Sequence, residues 1–439
     1  MIRLEAYFHG SYRGLRAYLL SKVFLAMVAL DTWMLMIGHA GRYGVAGFNV
    51  AHFTWLDRLG PVPSPALYVG VLLLTGLLAL SLALLGVSTW AMTALFLLYT
   101  YSWAMSMLDS YQHHYFVSLV MLCLIFFPPL RAADMLKKDQ PQLTQGFGYN
   151  LLGATICILY TFTAVAKMDA QWCQGYTLQR ISTSAQVFAP ILSLADSLGF
   201  SAQQTWAIVS TSVIPLELSV ALAYALAVCQ DVSRSRALRL FVNVGFVLAL
   251  SLHLGAEALG LDIGWFSYYM LALACTYLAP GRALDLLGQL LARPARAVAS
   301  FMSEPGAGPK SRFEVLITTA AASCVLAGAA YLLDLPGATG AATTAVVALW
   351  VSVAFSRKLA RGRDPAHVAL GAGVAAVLMW VAIARSEVRW DYYRFLGGDL
   401  QRRGEKQAAL DAYVKGERYA PAGSSRRDKI KQLQRELAR

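Results

Sequence analysis

The chain is short of charge. Only 14% of its 439 residues are Asp, Glu, Lys or Arg, while 57% are hydrophobic. Soluble domains carry about 25% charged residues, so this composition excludes an ordinary water-soluble enzyme and implies a polytopic membrane protein. Acidic residues are scarcer than basic ones, 25 against 37, and the formal net charge is +12. In a soluble protein that excess would suggest a nucleic-acid partner. Here the basic residues sit in short loops and in a C-terminal tail, where topology and anionic lipid explain them, and no nucleic acid is expected. The six cysteines (Cys123, Cys157, Cys173, Cys229, Cys275 and Cys324) show no CxxC spacing and most lie in apolar runs. That argues against a disulfide framework and a zinc site. There is no HExxH pair, no glycine-rich phosphate loop and no nucleophile elbow. No cleavable signal is expected: Met1 to Arg16 is polar and basic, and the first apolar run is long enough to stay in the membrane.

What the chain does have is long apolar runs. Stretches near 18–38, 66–87, 89–108, 112–130, 150–168, 205–228, 237–259, 263–281, 314–334, 341–357 and 365–385 are each long enough to span a bilayer as a helix, about eleven in all. The expected fold is all-α, a bundle of transmembrane helices. Lysine and arginine set its orientation. Arg131, Lys137 and Lys138 follow the fourth span, and Arg234, Arg236 and Arg239 the sixth. Arg282, Arg293, Arg296, Lys310 and Arg312 follow the eighth, and Arg357, Lys358, Arg361 and Arg363 the tenth. These loops fall on one side with Arg3, Arg13 and Arg16, whereas the long connection from Asp169 to Gln204 holds only Arg180. The expectation is a plasma (inner) membrane protein with a cytoplasmic N-terminus and an extracytoplasmic C-terminus.

Three regions follow. Residues 1–290 hold the first eight spans; 291–388 hold a Pro-, Gly- and Ser-containing linker and three Ala- and Gly-rich spans; 389–439 form a charged tail. In the tail, Trp390, Tyr393, Leu396, Gly397, Leu400, Gly404, Ala409, Tyr413 and Pro421 match the spacing of one tetratricopeptide (TPR) repeat. The alternative is a plain helical hairpin.

Charged groups within spans are expensive and mark functional sites by default. Lys167 and Asp169 stand at the outer end of the fifth span, followed by Trp172. Asp109, His113 and His114 lie between the third and fourth, and His253 and Glu257 near the outer end of the seventh, with Asp262 just beyond. Glu217 and Asp31 are deeper. Their shared depth suggests a polar chamber opening outward. Each has a plainer reading. Lys167 snorkels with Trp172 as a belt residue, and the two adjacent histidines bond backbone. His253 pairs with Glu257 four residues on. Glu217, after Pro215, satisfies carbonyls at a kink. Two histidines and two carboxylates also suit a metal, but the spacing is no HExxH and none is assigned.

These segments resemble the vitamin K-dependent γ-glutamyl carboxylases and their bacterial relatives, the HTTM (horizontally transferred transmembrane) domain proteins. FTAVAKMDAQWCQGYTL is similar to the enzyme's base-bearing segment, with Gln171 in place of its second acid. DSYQHHYFV, CQDVSRS, IGWFSYYML and WLDRLGPVPS resemble four further segments, and the likeness covers roughly residues 8–290. The resemblance implies Lys167 as catalytic base, His114 as an active-site histidine and His253 close to another; Asp109, His113, Asp169, Trp172, Glu217 and Glu257 are expected to support the site or bind substrate. It implies chemistry too. A neutral lysine deprotonates a reduced quinone, the quinol anion reacts with O2 to an epoxide, and the strong base so formed takes a γ-proton from glutamate, whose carbanion adds CO2. Partners would be membrane lipid, the quinol, an extracytoplasmic protein or peptide substrate and a protein held by the tail. Where the family has a large lumenal domain, the expectation here is three further spans and the short repeat. Competing readings are a non-catalytic lipid- or quinone-binding protein and a transporter with Glu217 and Asp31 on its path.

Overall fold

The computed structural model describes residues 8–32, 56, 65–85, 87–105, 112–128, 143–231, 233–261, 263–290, 386–420 and 425–438. Their regular structure is helical apart from one two-stranded antiparallel ribbon, β1 (Ser11–Arg13) paired with β2 (Leu143–Gln145). The helices are α1 (Gly14–Asp31), α2 (Pro65–Leu85), α3 (Thr89–Ala104), α4 (Gln112–Ile125), α5 (Phe147–Ala166), α6 (Ala170–Cys173), α7 (Tyr176–Ile181), α8 (Ala189–Ser197), α9 (Ala202–Ala227), α10 (Arg236–Ala258) and α11 (Phe266–Leu273). They continue with α12 (Gly281–Leu290), α13 (Ser386–Arg402), α14 (Lys406–Glu417) and α15 (Arg427–Leu437). The predicted spans 314–334, 341–357 and 365–385, and Asp109 and Asp262, lie outside the described residues.

Among the described residues, α5, α9 and α10 are each long and apolar enough to cross a membrane. The pair 266–278 and 281–290, bent by 115°, passes the same test only when taken together, as a broken span or a re-entrant loop. Contacts divide the chain into two units: residues 1–24, 86–90 and 119–294, and residues 25–85, 91–118 and 295–439.

In the first unit α9 packs against both α5 and α10, and α10 against α11. The sequence sets the helix ends. Ser201 and Gln204 form a reciprocal capping box at the start of α9, and the Ser235 hydroxyl accepts the Leu238 N–H at the start of α10, satisfying amides a helix leaves open. Gly245 faces Ala223, so α9 and α10 approach closely, as small residues allow between membrane helices. The core is a column of tyrosines. Tyr12 stacks on Tyr149 at 4.0 Å and Tyr149 on Tyr277 at 4.4 Å; Tyr277 meets Tyr224 at 5.5 Å, and Tyr224 meets Tyr160 at 6.0 Å. All five are buried. On α10, Leu240, Val244, Val247 and Leu254 form an exposed apolar stripe, and Ile158, Phe162 and Val165 another on α5. Such stripes would be a liability in water and are suited to lipid.

At one end of this unit sits an ionic clamp. Arg16, 2% exposed, sends Nε and Nη2 to Asp231 at 2.9 and 3.1 Å and Nη1 to the carbonyls of Tyr277 and Ala279 at 3.1 and 2.8 Å. The Arg13 amide also donates to Asp231, and Gln230 donates to the Tyr277 carbonyl. That carbonyl lies in a π-helical turn, Ala274–Leu278, whose wider ring leaves carbonyls open to side-chain donors.

The second unit joins α3 to the start of α4 through polar contacts. Trp103 Nε1 and the Thr100 hydroxyl both donate to Ser118 Oγ, at 2.9 and 3.1 Å. It also contains the tail. There α13 and α14 run antiparallel, Gly397 lying against the Tyr413 ring and Gly416 against Tyr393 and Trp390. A third helix, α15, closes them with Leu433 against Ala409 and Tyr413. Partial burial pushes the Glu417 carboxyl up, but hydrogen bonds from Ser425, the Arg426 amide and Arg427 outweigh it and hold the group below its ordinary range.

Candidate functional site

Lys167 is the C-cap of α5, and its amide closes the last turn on the Ala164 carbonyl. The side chain does not reach outward as a snorkelling lysine would. Nζ donates to both oxygens of Glu217 on α9, at 2.9 and 3.0 Å, and to the Thr163 carbonyl at 3.3 Å. The lysine is 21% exposed and the glutamate 8%. Glu217, two residues after Pro215 in the sequence, therefore meets a cation rather than the carbonyls of a kink. Nζ also stands 5.2 Å from the centre of the Trp172 ring, within cation–π range.

The residues after Lys167 hold that tryptophan. Asp169 is the N-cap of α6 and accepts the Trp172 amide at 3.0 Å, a structural role for a residue the sequence groups with the site. Trp172 Nε1 donates to the Ser210 carbonyl at 2.7 Å, and the Ser210 hydroxyl returns a bond to the Trp172 carbonyl at 2.6 Å. Thr211 donates to the Cys173 carbonyl, and Gln203 to that of Gln174. Gly175, at φ +83°, lets the chain turn against α9; a Cβ there would stand 2.5 Å from the Trp206 carbonyl carbon. Beneath lies an apolar cluster of Ala164, Trp172, Leu178, Phe188, Trp206 and Ile214.

Two helical turns back along α5, about 10 Å, the Tyr160 hydroxyl bonds His253 Nε2 on α10 at 2.7 Å. Both are buried, and Tyr160 lies within electrostatic reach of Glu217. Lys167, Glu217, Tyr160 and His253 thus form one polar strip between α5, α9 and α10. It can bind a polar ring edge, hold an anion, and pass a proton between amine and carboxylate. Glu257 does not pair with His253; it accepts from the Tyr268 hydroxyl at 3.2 Å. Tyr160 and Ser210 were not singled out by sequence. The available signal for Tyr160 was its spacing, seven residues before Lys167 and so on the same helix face.

Two further predicted residues lie in the second unit. His113 and His114 open α4, both buried, their rings 4.1 Å apart. His114 Nδ1 bonds the Tyr99 hydroxyl at 2.8 Å. With Asp31, at the end of α1, they offer one donor atom each, all within 4.8 Å of one another.

A family model described as the HTTM domain matches residues 19–281, more than half of the chain. No curated protein and no solved structure matches it.

Proposed function

We propose, from the premise that this chain belongs to the HTTM domain family, which is related to the vitamin K-dependent carboxylases, that it oxidises a membrane-borne hydroquinone with dioxygen and that Lys167 takes the first proton. The observation carrying the reading is the Lys167–Glu217 pair, set at a helix end beside Trp172 with Tyr160 and His253 behind it.

Such a pair exists either as two ions or as amine and acid, and the two forms differ by one proton moved along a 2.9 Å bond. Water favours the ions. A hydroquinone ring that displaces water favours the uncharged form, because unsolvated charge is costly. The amine then accepts the phenolic proton while Glu217 keeps its own. The Tyr160–His253 pair supplies hydrogen bonds to oxygen as negative charge develops there. One oxygen atom of O2 enters the epoxide and the other leaves as water, so hydroquinone plus dioxygen gives quinone epoxide plus water. Coupled to this, the base formed on the way removes a γ-proton from a glutamyl residue of an extracytoplasmic peptide, and CO2 adds to the carbanion. A site at the end of α5 suits a lipid quinol arriving from the bilayer and a peptide arriving from the aqueous side.

The test is mass spectrometry of the products after purified protein is incubated with a hydroquinone, O2 and labelled bicarbonate. Wild type is expected to make the epoxide. Lys167→Ala is expected to lose about 10²–10⁴-fold, the usual contribution of a positioned base. Lys167→Arg is expected not to rescue it, since a guanidinium stays charged. Full activity of the arginine variant would overturn the base assignment. Quinol binding without product would replace the enzyme with a quinone-binding protein.

A further inference from the structure

The sequence assigns no metal, because its histidines and carboxylates show no HExxH spacing. The fold supplies the ligand that spacing cannot show. Asp31 arrives from α1, 82 positions before His113 in the numbering, and the three donors converge within 4.8 Å, all three side chains buried. We propose that Asp31, His113 and His114 bind one divalent first-row transition-metal ion.

Three observations carry this. The donor set, one carboxylate and two imidazoles, is the kind that binds such ions with open positions remaining. The donors come from two helices and stand close together. Ligands on one ion stand about 3–3.5 Å apart, given metal–nitrogen and metal–oxygen distances near 2.1 Å, so the widest separation here closes by side-chain rotation of roughly 1–2 Å. Finally, one histidine is already oriented. Tyr99 engages Nδ1 of His114 at 2.8 Å, which directs Nε2 to the ion, and metal-bound histidines are commonly held by such a bond on the other ring nitrogen. Tyr99 is a positioning residue in this scheme. The histidines lie in the first turn of α4, whose dipole disfavours a cation; direct coordination and the Asp31 charge outweigh so diffuse a field. Because Lys167 and Glu217 take no part, metal content is read independently of quinol oxidation, and either proposal can fail alone.

The experiment uses the full chain without an affinity tag, stripped with chelator and dialysed against Co2+. The expected result is about one cobalt per chain by elemental analysis, with visible ligand-field bands. Asp31→Asn and His113→Gln are each expected to lower occupancy at least tenfold at the same free Co2+. Tyr99→Phe is expected to weaken binding about 10–100-fold while leaving the stoichiometry at one. His253→Gln, which alters a buried histidine bonded to Tyr160, is expected to bind as wild type. No cobalt bound by wild type overturns the proposal, and so does wild-type binding by Asp31→Asn or His113→Gln. If a variant fails to fold, pulsed EPR of Mn2+-loaded wild type decides: coupling to two imidazole nitrogens supports the site and its absence overturns it.

Discussion

A single glycine shows how tightly the lysine segment is specified. Gly175 turns the chain at φ +83° and lies against the α9 backbone. Gly199 has nearly the same dihedral, φ +87°, with nothing near the place of a Cβ. Gly199→Ala therefore reports left-handed strain alone, about 1–2 kcal/mol, while Gly175→Ala adds a collision with Trp206. The prediction is a fall in thermal midpoint at least twice as large for Gly175→Ala as for Gly199→Ala, with loss of quinol turnover only in the former, because α6 and Trp172 must shift. Equal effects in both assays would show that the close approach does not matter. At this scale the sequence was informative about residue types and less so about partners. Lys167, Asp169, Trp172 and Glu217 were all visible in it, and Asp169 caps α6; the pairing of Glu217, 50 residues on, with Lys167 was not visible. Tyr160 shares the helix face of Lys167 by local spacing, whereas the pairing with Glu217 is decided by tertiary packing, which neither composition nor local spacing encodes.

Among the elements, hydropathy located the long helices well: α5, α9 and α10 lie within about three residues of the runs at 150–168, 205–228 and 237–259. It failed where elements are short. The connection 169–204, expected as a loop, contains α6, α7 and α8, whose four to nine residues cannot display a helical period. The three-residue strands β1 and β2 gave no alternation to read. The CQDVSRS segment, matched by resemblance, turns out to be the clamp around Arg16 and the cap of α10 rather than part of the polar strip. The tail's helical hairpin was legible because its glycines and aromatics recur at contact spacing. Its test follows from Gly397, where a Cβ would come within 2.9 Å of the Tyr413 ring. Gly397→Leu is expected to cost about 1–3 kcal/mol or more through overpacking, seen as faster proteolysis between α13 and α14 in the full chain. Gly404→Leu, at φ +81° with open space around it, separates backbone strain from packing. Proteolysis unchanged by Gly397→Leu would mean the helices do not depend on that contact.

For the whole molecule, the sequence argued orientation from basic residues, and the first unit gives that argument a geometry. Arg13 and Arg16 gather around Asp231, Arg13 also reaches the Gly281 carbonyl and Asp285, and Arg234, Arg236 and Arg239 flank the start of α10. The far ends of the same helices, from Lys167 to Gln204, carry only Lys167 and Arg180. The positive-inside rule predicts that the Arg16 clamp faces the cytoplasm and the polar strip faces outward. The expected outcome is specific to single positions. A membrane-impermeant maleimide applied to intact cells should label Asp196→Cys, on exposed α8, and Lys431→Cys, on exposed α15, in a chain whose native cysteines are replaced. Arg234→Cys should label only after lysis. Asp196 and Arg234 lie at opposite ends of one packed unit, so they must respond oppositely whatever the number of spans beyond residue 290. Lys431 depends on that number, since an odd count of crossings between 291 and 388 returns the chain to the outside. Labelling of Arg234→Cys in intact cells would invert the orientation, and with it the side from which a peptide could reach Lys167. Labelling of Asp196→Cys but not Lys431→Cys would keep that orientation and require an even count in the C-terminal spans.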